Sequence, residues 1–128
     1  MAAKSNFLEK ALLDHVLKVA AYTVPTNVYV ALFTTATADD GTGTEVIGGS
    51  YARQTSTWSA ATLGTGATSN SAAIAFTNMP ACTVTHVALF DAVSGGNMLY
   101  HGALTSSQVV AAGNTFQFAI GDVDITEA

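Results

Sequence analysis

Apolar residues recur along this chain with two different periods, and the change comes at Pro25. Before it, Leu8, Leu12, Val16 and Val19 fall at i, i+4, i+8 and i+11, with Phe7 and Ala11 beside them, which is one stripe of a helix. Lys10, Asp14 and Lys18, spaced by four, form the wet side. Asn6 followed by Glu9 has capping-box spacing, so Asn6 reads as the N-cap. The pattern predicts an arm and helix over about residues 4–20, with Pro25 ending any continuation.

After Pro25 the texture is β. Val28 to Thr34 and Val84 to Phe90 are apolar on both faces and read as central strands. Val46 to Thr57 contains Gly48-Gly49, which suggests a bend or bulge within a strand pair. Thr57-Trp58-Ser59 reads as a short strand with Trp58 inward, and Ile74 and Phe76 share one face of another. Ser94 to Asn97 is a tight turn, with Met98 to Leu104 as the returning arm of a hairpin. Thr115 to Ile120 alternates, with Phe116, Phe118 and Ile120 inward, and Val123 and Ile125 alternate with Asp122, Asp124 and Thr126. Turn signals lie every 8–12 residues and no second helix interrupts the strands. The expected fold is therefore mainly β: an antiparallel β-sandwich or jelly-roll-like barrel of seven to eight short strands with one N-terminal α-helix. One domain over 1–128 is expected, with the sandwich at about 26–128.

Composition adds a surface argument. Only 13 of 128 residues are charged, and Ala and Thr make up about a third of the chain. Soluble domains usually carry about a quarter charged residues. By area scaling, 13.1 kDa should fold to roughly 6,400 Å² of accessible surface. So few charges leave large neutral tracts, which need little desolvation when they meet another protein. This points to an assembly component. The net charge of −5 argues against nucleic acid as a partner. Charge is also uneven. Lys4, Lys10 and Lys18 with Glu9 and Asp14 give +1 in the first twenty residues, while Arg53 against seven acids gives −6 in the rest. The helix or the tail Met1 to Ser5 is thus a candidate to dock on an acidic surface of a neighbouring copy, and reversing the three lysines should weaken assembly. One cysteine, Cys82, forbids an intrachain disulfide. No signal-peptide core and no membrane-length apolar run is present, so cytoplasmic synthesis without membrane contact is expected.

Chemistry is sparse. His86 and His101 fall in the two hairpin arms as possible cross-strand neighbours, but no third metal ligand accompanies them. His15 sits on the helix. Cys82 reads as a small hydrophobe at a strand start. There is no Gly-x-Ser-x-Gly elbow, and the run Gly41 to Glu45 lacks the lysine of a phosphate loop. Asp122, Asp124 and Glu127 could gather calcium, but the alternation already explains the two aspartates as the wet face of an edge strand. Asp39 and Asp40 read as solvated. Arg53, the lone cation of the β region, has Glu45 or Asp91 as intramolecular partners, or an acceptor on a neighbouring subunit. No catalytic residue, cofactor or metal site is expected; the interface candidates are Lys4, Lys10, Lys18 and Arg53.

Several segments carry a resemblance: KSNFLEKALLDHVL, NVYVALFTT, GTEVIGGSYARQ and VTHVALFDAVSGGNMLYHGALT, in this order, with NTFQFAIGDVDITE closing. Together they resemble a family of small virion proteins of tailed bacteriophages, some labelled tail fibre proteins and some acting as capsid cement or decoration proteins. The resemblance implies a structural virion protein. The preferred expectation is a decoration protein on the outer capsid, a homotrimer that binds the major capsid protein and clamps adjacent capsomers through apolar burial. The alternative is a tail-fibre or tail-tip component, with receptor or glycan binding through exposed loop residues such as Asp39, Asp40 and Asn97. An enzyme would need a convergent acid/base pocket that the sequence does not offer.

Overall fold

The computed structural model describes residues 2–127. It opens with a two-residue strand, β1 (Ala3–Lys4), and helix α1 (Asn6–Val16). There follow β2 (Val28–Phe33), β3 (Gln54–Ser56), β4 (Ala67–Ser69), β5 (Ile74–Phe76), β6 (Cys82–Phe90), β7 (Met98–Val110), β8 (Phe116–Phe118) and β9 (Asp124–Thr126). A five-stranded antiparallel sheet has the order β1-β7-β6-β2-β3, and β4–β9 and β5–β8 pair as two separate ribbons. The expected mainly-β, antiparallel architecture with one N-terminal helix is what is observed.

The sheet is buried on both faces, as the unbroken apolar runs of β2 and β6 require. One face carries Val30, Leu32, Val87 and Leu89 into the main core, where Ile74, Phe76, Phe116 and Phe118 of one ribbon and Val123 and Ile125 of the other complete it. The other face holds a smaller cluster of Ala31, Phe33, Ala88, Phe90 and Met98. The ribbons are welded by Asn70, which is 1% exposed. Its Nδ2 donates to the carbonyls of Ala72 and Ala119, both at 2.9 Å, and its Oδ1 accepts from the Val123 amide at 2.9 Å. A buried amide must be partnered this completely, because an orphaned group there costs about 1–3 kcal/mol.

Gly48-Gly49 does make the expected bend, but in a segment that runs along β2 instead of closing a hairpin. Before the bend, Val46 donates to Leu32; after it, β3 pairs with Val28 to Val30. Gly49 has φ +54, and a Cβ there would lie 2.6 Å from the Asn78 carbonyl oxygen. Only glycine combines that backbone with that approach.

Several sequence expectations need correction. The N-cap is Ser5, not Asn6: the Leu8 amide donates to Ser5 Oγ at 3.2 Å, and Ser5 itself is locked by its amide to Leu99 O and its hydroxyl to Met98 O. After the arm the helix stops at Val16, short of residue 20, because Lys18 turns left-handed at φ 64 and the chain folds back onto Asp14. Its stripe is mostly wet; of the helix, Leu8 alone is fully buried. Nine strands replace the expected seven or eight among the described residues. β7 runs on to Val110 through a four-residue bulge, Leu104 to Ser107, opposite Thr85. Trp58 makes an isolated bridge to Asn70 in place of a strand, though its side chain does pack on the core. Ile120 is 69% exposed, because the strand stops at Phe118 and the Asp122 carboxylate caps the following turn at the Ala119 amide.

Candidate assembly surface

The sequence nominated four cations, and the fold uses three of them inside the chain. Arg53 enters from the segment before β3 and is 8% exposed as a side chain. Its Nε and Nη2 donate to the two oxygens of Glu45 at 3.0 and 2.9 Å. Nη1 donates to the carbonyls of Ala92 and Gly95, at 3.0 and 2.8 Å, on the β6–β7 turn. The guanidinium also lies 3.7 Å over the Phe90 ring, itself stacked on Phe33. Of the partners weighed, Glu45 is the one observed. Asp91 instead ties Asn97 across the same turn. Arg53 therefore braces one end of the sheet.

Tyr51 extends this node. Its hydroxyl donates to Glu45 at 2.7 Å and accepts the Leu32 amide at 2.9 Å, replacing a strand partner where the edge is interrupted. Burial, chiefly, pushes this phenol well above its ordinary pKa, and the neighbouring Glu45 carboxylate adds to that.

Lys4 donates to Glu127 at 2.6 Å, and Tyr100 donates to the other oxygen of the same carboxylate at 2.5 Å. The Lys4 bond, first, and the Tyr100 bond hold the Glu127 carboxyl below its usual range. The two ends of the described chain thus meet on β7. Lys10 pairs with Asp14 one helical turn on, at 2.5 Å. Lys18 alone of the four has no carboxylate partner among the described residues. Met1, the start of the nominated tail, lies outside the described residues.

The histidines do not converge. His86 lies opposite Ala103 and His101 opposite Ala88, so they are diagonal and not facing. His101 is buried, with Nε2 2.7 Å from Asp39 Oδ1 and Nδ1 2.8 Å from Thr37 Oγ1. Asp39 is exposed, as expected, but its carboxylate also clasps His101, and its carbonyl accepts the Asn6 amide. This clasp closes the loop after β2 over the smaller core cluster and seats the start of α1. Asp40 is solvated as expected, its carboxylate bonded by Thr42 and lowered in pKa by that bond. Burial raises the Cys82 thiol, which makes it a poorer nucleophile, in keeping with its reading as a small hydrophobe. No group of three or more His, Cys, Asp or Glu is placed to hold a metal among the described residues. No helix of the described residues is long and apolar enough to cross a membrane.

What the fold leaves open is apolar surface. Leu13, Val16 and Leu17 are 62%, 74% and 69% exposed, and Val19 and Val24 beyond the helix are exposed as well. The sequence nominated this helix to dock on a neighbouring copy, and an eleven-residue helix with one buried leucine is marginal by itself. The total accessible surface is 7027 Å², about a tenth above the scaling value for a protein of this mass. The arrangement offers bracing and contact.

Among curated proteins, none matches this chain. Residues 3–126 match the family model described as Podophage GP4 fiber I protein gp80, so the chain belongs to that family of tailed-phage virion proteins.

Proposed function

We propose that this chain is a structural, non-enzymatic subunit of the fibre apparatus on the virion surface, joined to its neighbours through its neutral and apolar exterior. The observation that carries the reading is the match to a phage fibre family over residues 3–126, on a chain that exposes apolar side chains both at the end of α1 and on its β body. Subunits built to assemble need an associating surface more than a site, and exposed apolar patches of this kind mark such surfaces.

A second reading is capsid decoration, with the major capsid protein and copies of this chain as partners and the outer shell as location. The Lys4–Glu127 pair favours it, because it ties β1 and the segment after β9 together on β7 and closes the described residues into one body. Bodies of this kind suit local threefold positions, where a homotrimer would clamp adjacent capsomers.

The test is the copy number of this chain per purified virion, measured by quantitative mass spectrometry against the major capsid protein. A few copies per particle, with antibody label on fibres, supports the fibre reading. A ratio near one to one moves the chain to the shell. Absence from the particle overturns both readings.

A further inference from the structure

Two surfaces of this chain complement one another without being able to meet within one copy. The first is the basic, apolar end of α1 and its continuation: Leu13, Val16, Leu17 and Val19 exposed, with Lys18 the cation that lacks a carboxylate partner among the described residues. The second is a groove of about 470 Å³ between the outer half of β7 and β8. Leu104, Val109, Phe116 and Phe118 line it, and Asp122 stands in its wall. Asp124, exposed on β9 just beyond, carries a second carboxylate without a cation among the described residues. Helix α1 is fixed to β7 at Met98 and Leu99, while the groove begins at Ala103 and runs to Val110, so the helix cannot turn into its own groove.

We propose that the groove receives the α1 end of a second copy of this chain. Val16 and Leu17 pack against Leu104 and Val109 in a groove whose remaining wall is largely Thr, Ser, Asn and Gln, and Lys18 pairs with the Asp122–Asp124 edge. Charge complementarity selects a second copy: Lys18 lacks a carboxylate partner, and Asp122 and Asp124 lack a cation, among the described residues. Donor and acceptor are different surfaces, so the contact is head-to-tail and is satisfied everywhere only in a closed ring. The Ser5 cap and the His101–Asp39 clasp then gain a purpose, since they hold a short helix ready before its partner arrives. The proposal rests on the reading of this chain as an assembly subunit.

The experiment is sedimentation equilibrium of the purified full chain over about 1–100 µM, with circular dichroism as the control for folding. The chain is expected to form a closed oligomer. Val16→Glu and Leu17→Glu, both at solvent-exposed positions, are expected to weaken association at least about tenfold with an unchanged spectrum. Lys18→Asp and Asp124→Lys are each expected to weaken it, and the two together to restore it. A wild-type chain that is monomeric at about 100 µM overturns the proposal, whatever its copy number in the virion. Unchanged association in Val16→Glu and Leu17→Glu, or no recovery in the charge exchange, overturns it equally.

Discussion

Replacing Arg53 with alanine should cost this protein about 3 kcal/mol. The side chain is 8% exposed and makes four hydrogen bonds, two of them to the Glu45 carboxylate. Hydrogen bonds to charged groups are worth about 1.5–3 kcal/mol each, and a partly desolvated cation over an aromatic ring adds about 1. These are not additive, because they share one guanidinium. Removing one member of a fully buried pair costs about 3–5 kcal/mol. Glu45 is 26% exposed and keeps the Tyr51 hydroxyl, so water and that bond recover part of the loss. About 3 kcal/mol is then the expected value, a large share of the 5–15 kcal/mol that holds a domain together. For a chain of this length it corresponds to a fall in Tm of roughly 9–15 °C. Urea unfolding followed by Trp58 fluorescence gives the number directly. Arg53→Lys should recover less than half, since one ammonium cannot grip two carboxylate oxygens and two carbonyls together. Combined with Glu45→Gln, Arg53→Ala should cost clearly less than the sum of the single changes. A loss below about 1 kcal/mol, or an Arg53→Lys variant as stable as the wild type, would refute the bracing role.

Three further outcomes follow from the same structure. Gly49→Ala should destabilise by about 2 kcal/mol or more, from a left-handed φ and a clash with the Asn78 carbonyl, whereas Gly64→Ala, with open space around it, should pay only the backbone strain; paired urea titrations compare them. Ser5→Ala should cost about 1 kcal/mol through loss of the helix cap, read as lower stability and reduced helical dichroism. Burial raises the phenols of Tyr51 and Tyr100 above their ordinary value near 10, so their contribution is complete below about pH 10 and declines as pH rises above it. For Tyr51 the slope is at most about 1.4 kcal/mol per pH unit, and native phenolate absorbance should rise in stages; a single step near pH 10 for every tyrosine would contradict this.

The helix, the longer strands and most inward-facing residues were legible because each depends on a local period, whereas β1 and β4, two and three residues long, carry no such signal. Ile74, Phe76, Phe116, Phe118, Val123 and Ile125 alternate with exposed neighbours and are all buried. β2 and β6, apolar on both faces, are the central strands. Ile120 broke the same rule, because a carboxylate two residues later captured the Ala119 amide and ended the strand. The Ser5 cap was not legible either: Asn6 has the better local spacing, but β7 presents the carbonyls that hold Ser5.

Of the assembly surface, the sequence by itself determined the raw material: few charges, an acidic body, a basic end and an amphipathic stripe. Only the tertiary structure decided how these are used. It placed Glu45 beside Arg53, Glu127 beside Lys4 and Asp39 beside His101, pairs that lie 8, 123 and 62 residues apart. It also left the stripe of α1 in water. The physical reason is range: periodicity and capping act over a few residues, whereas ion pairs, clasps and open faces depend on which distant segments the sheet register brings together.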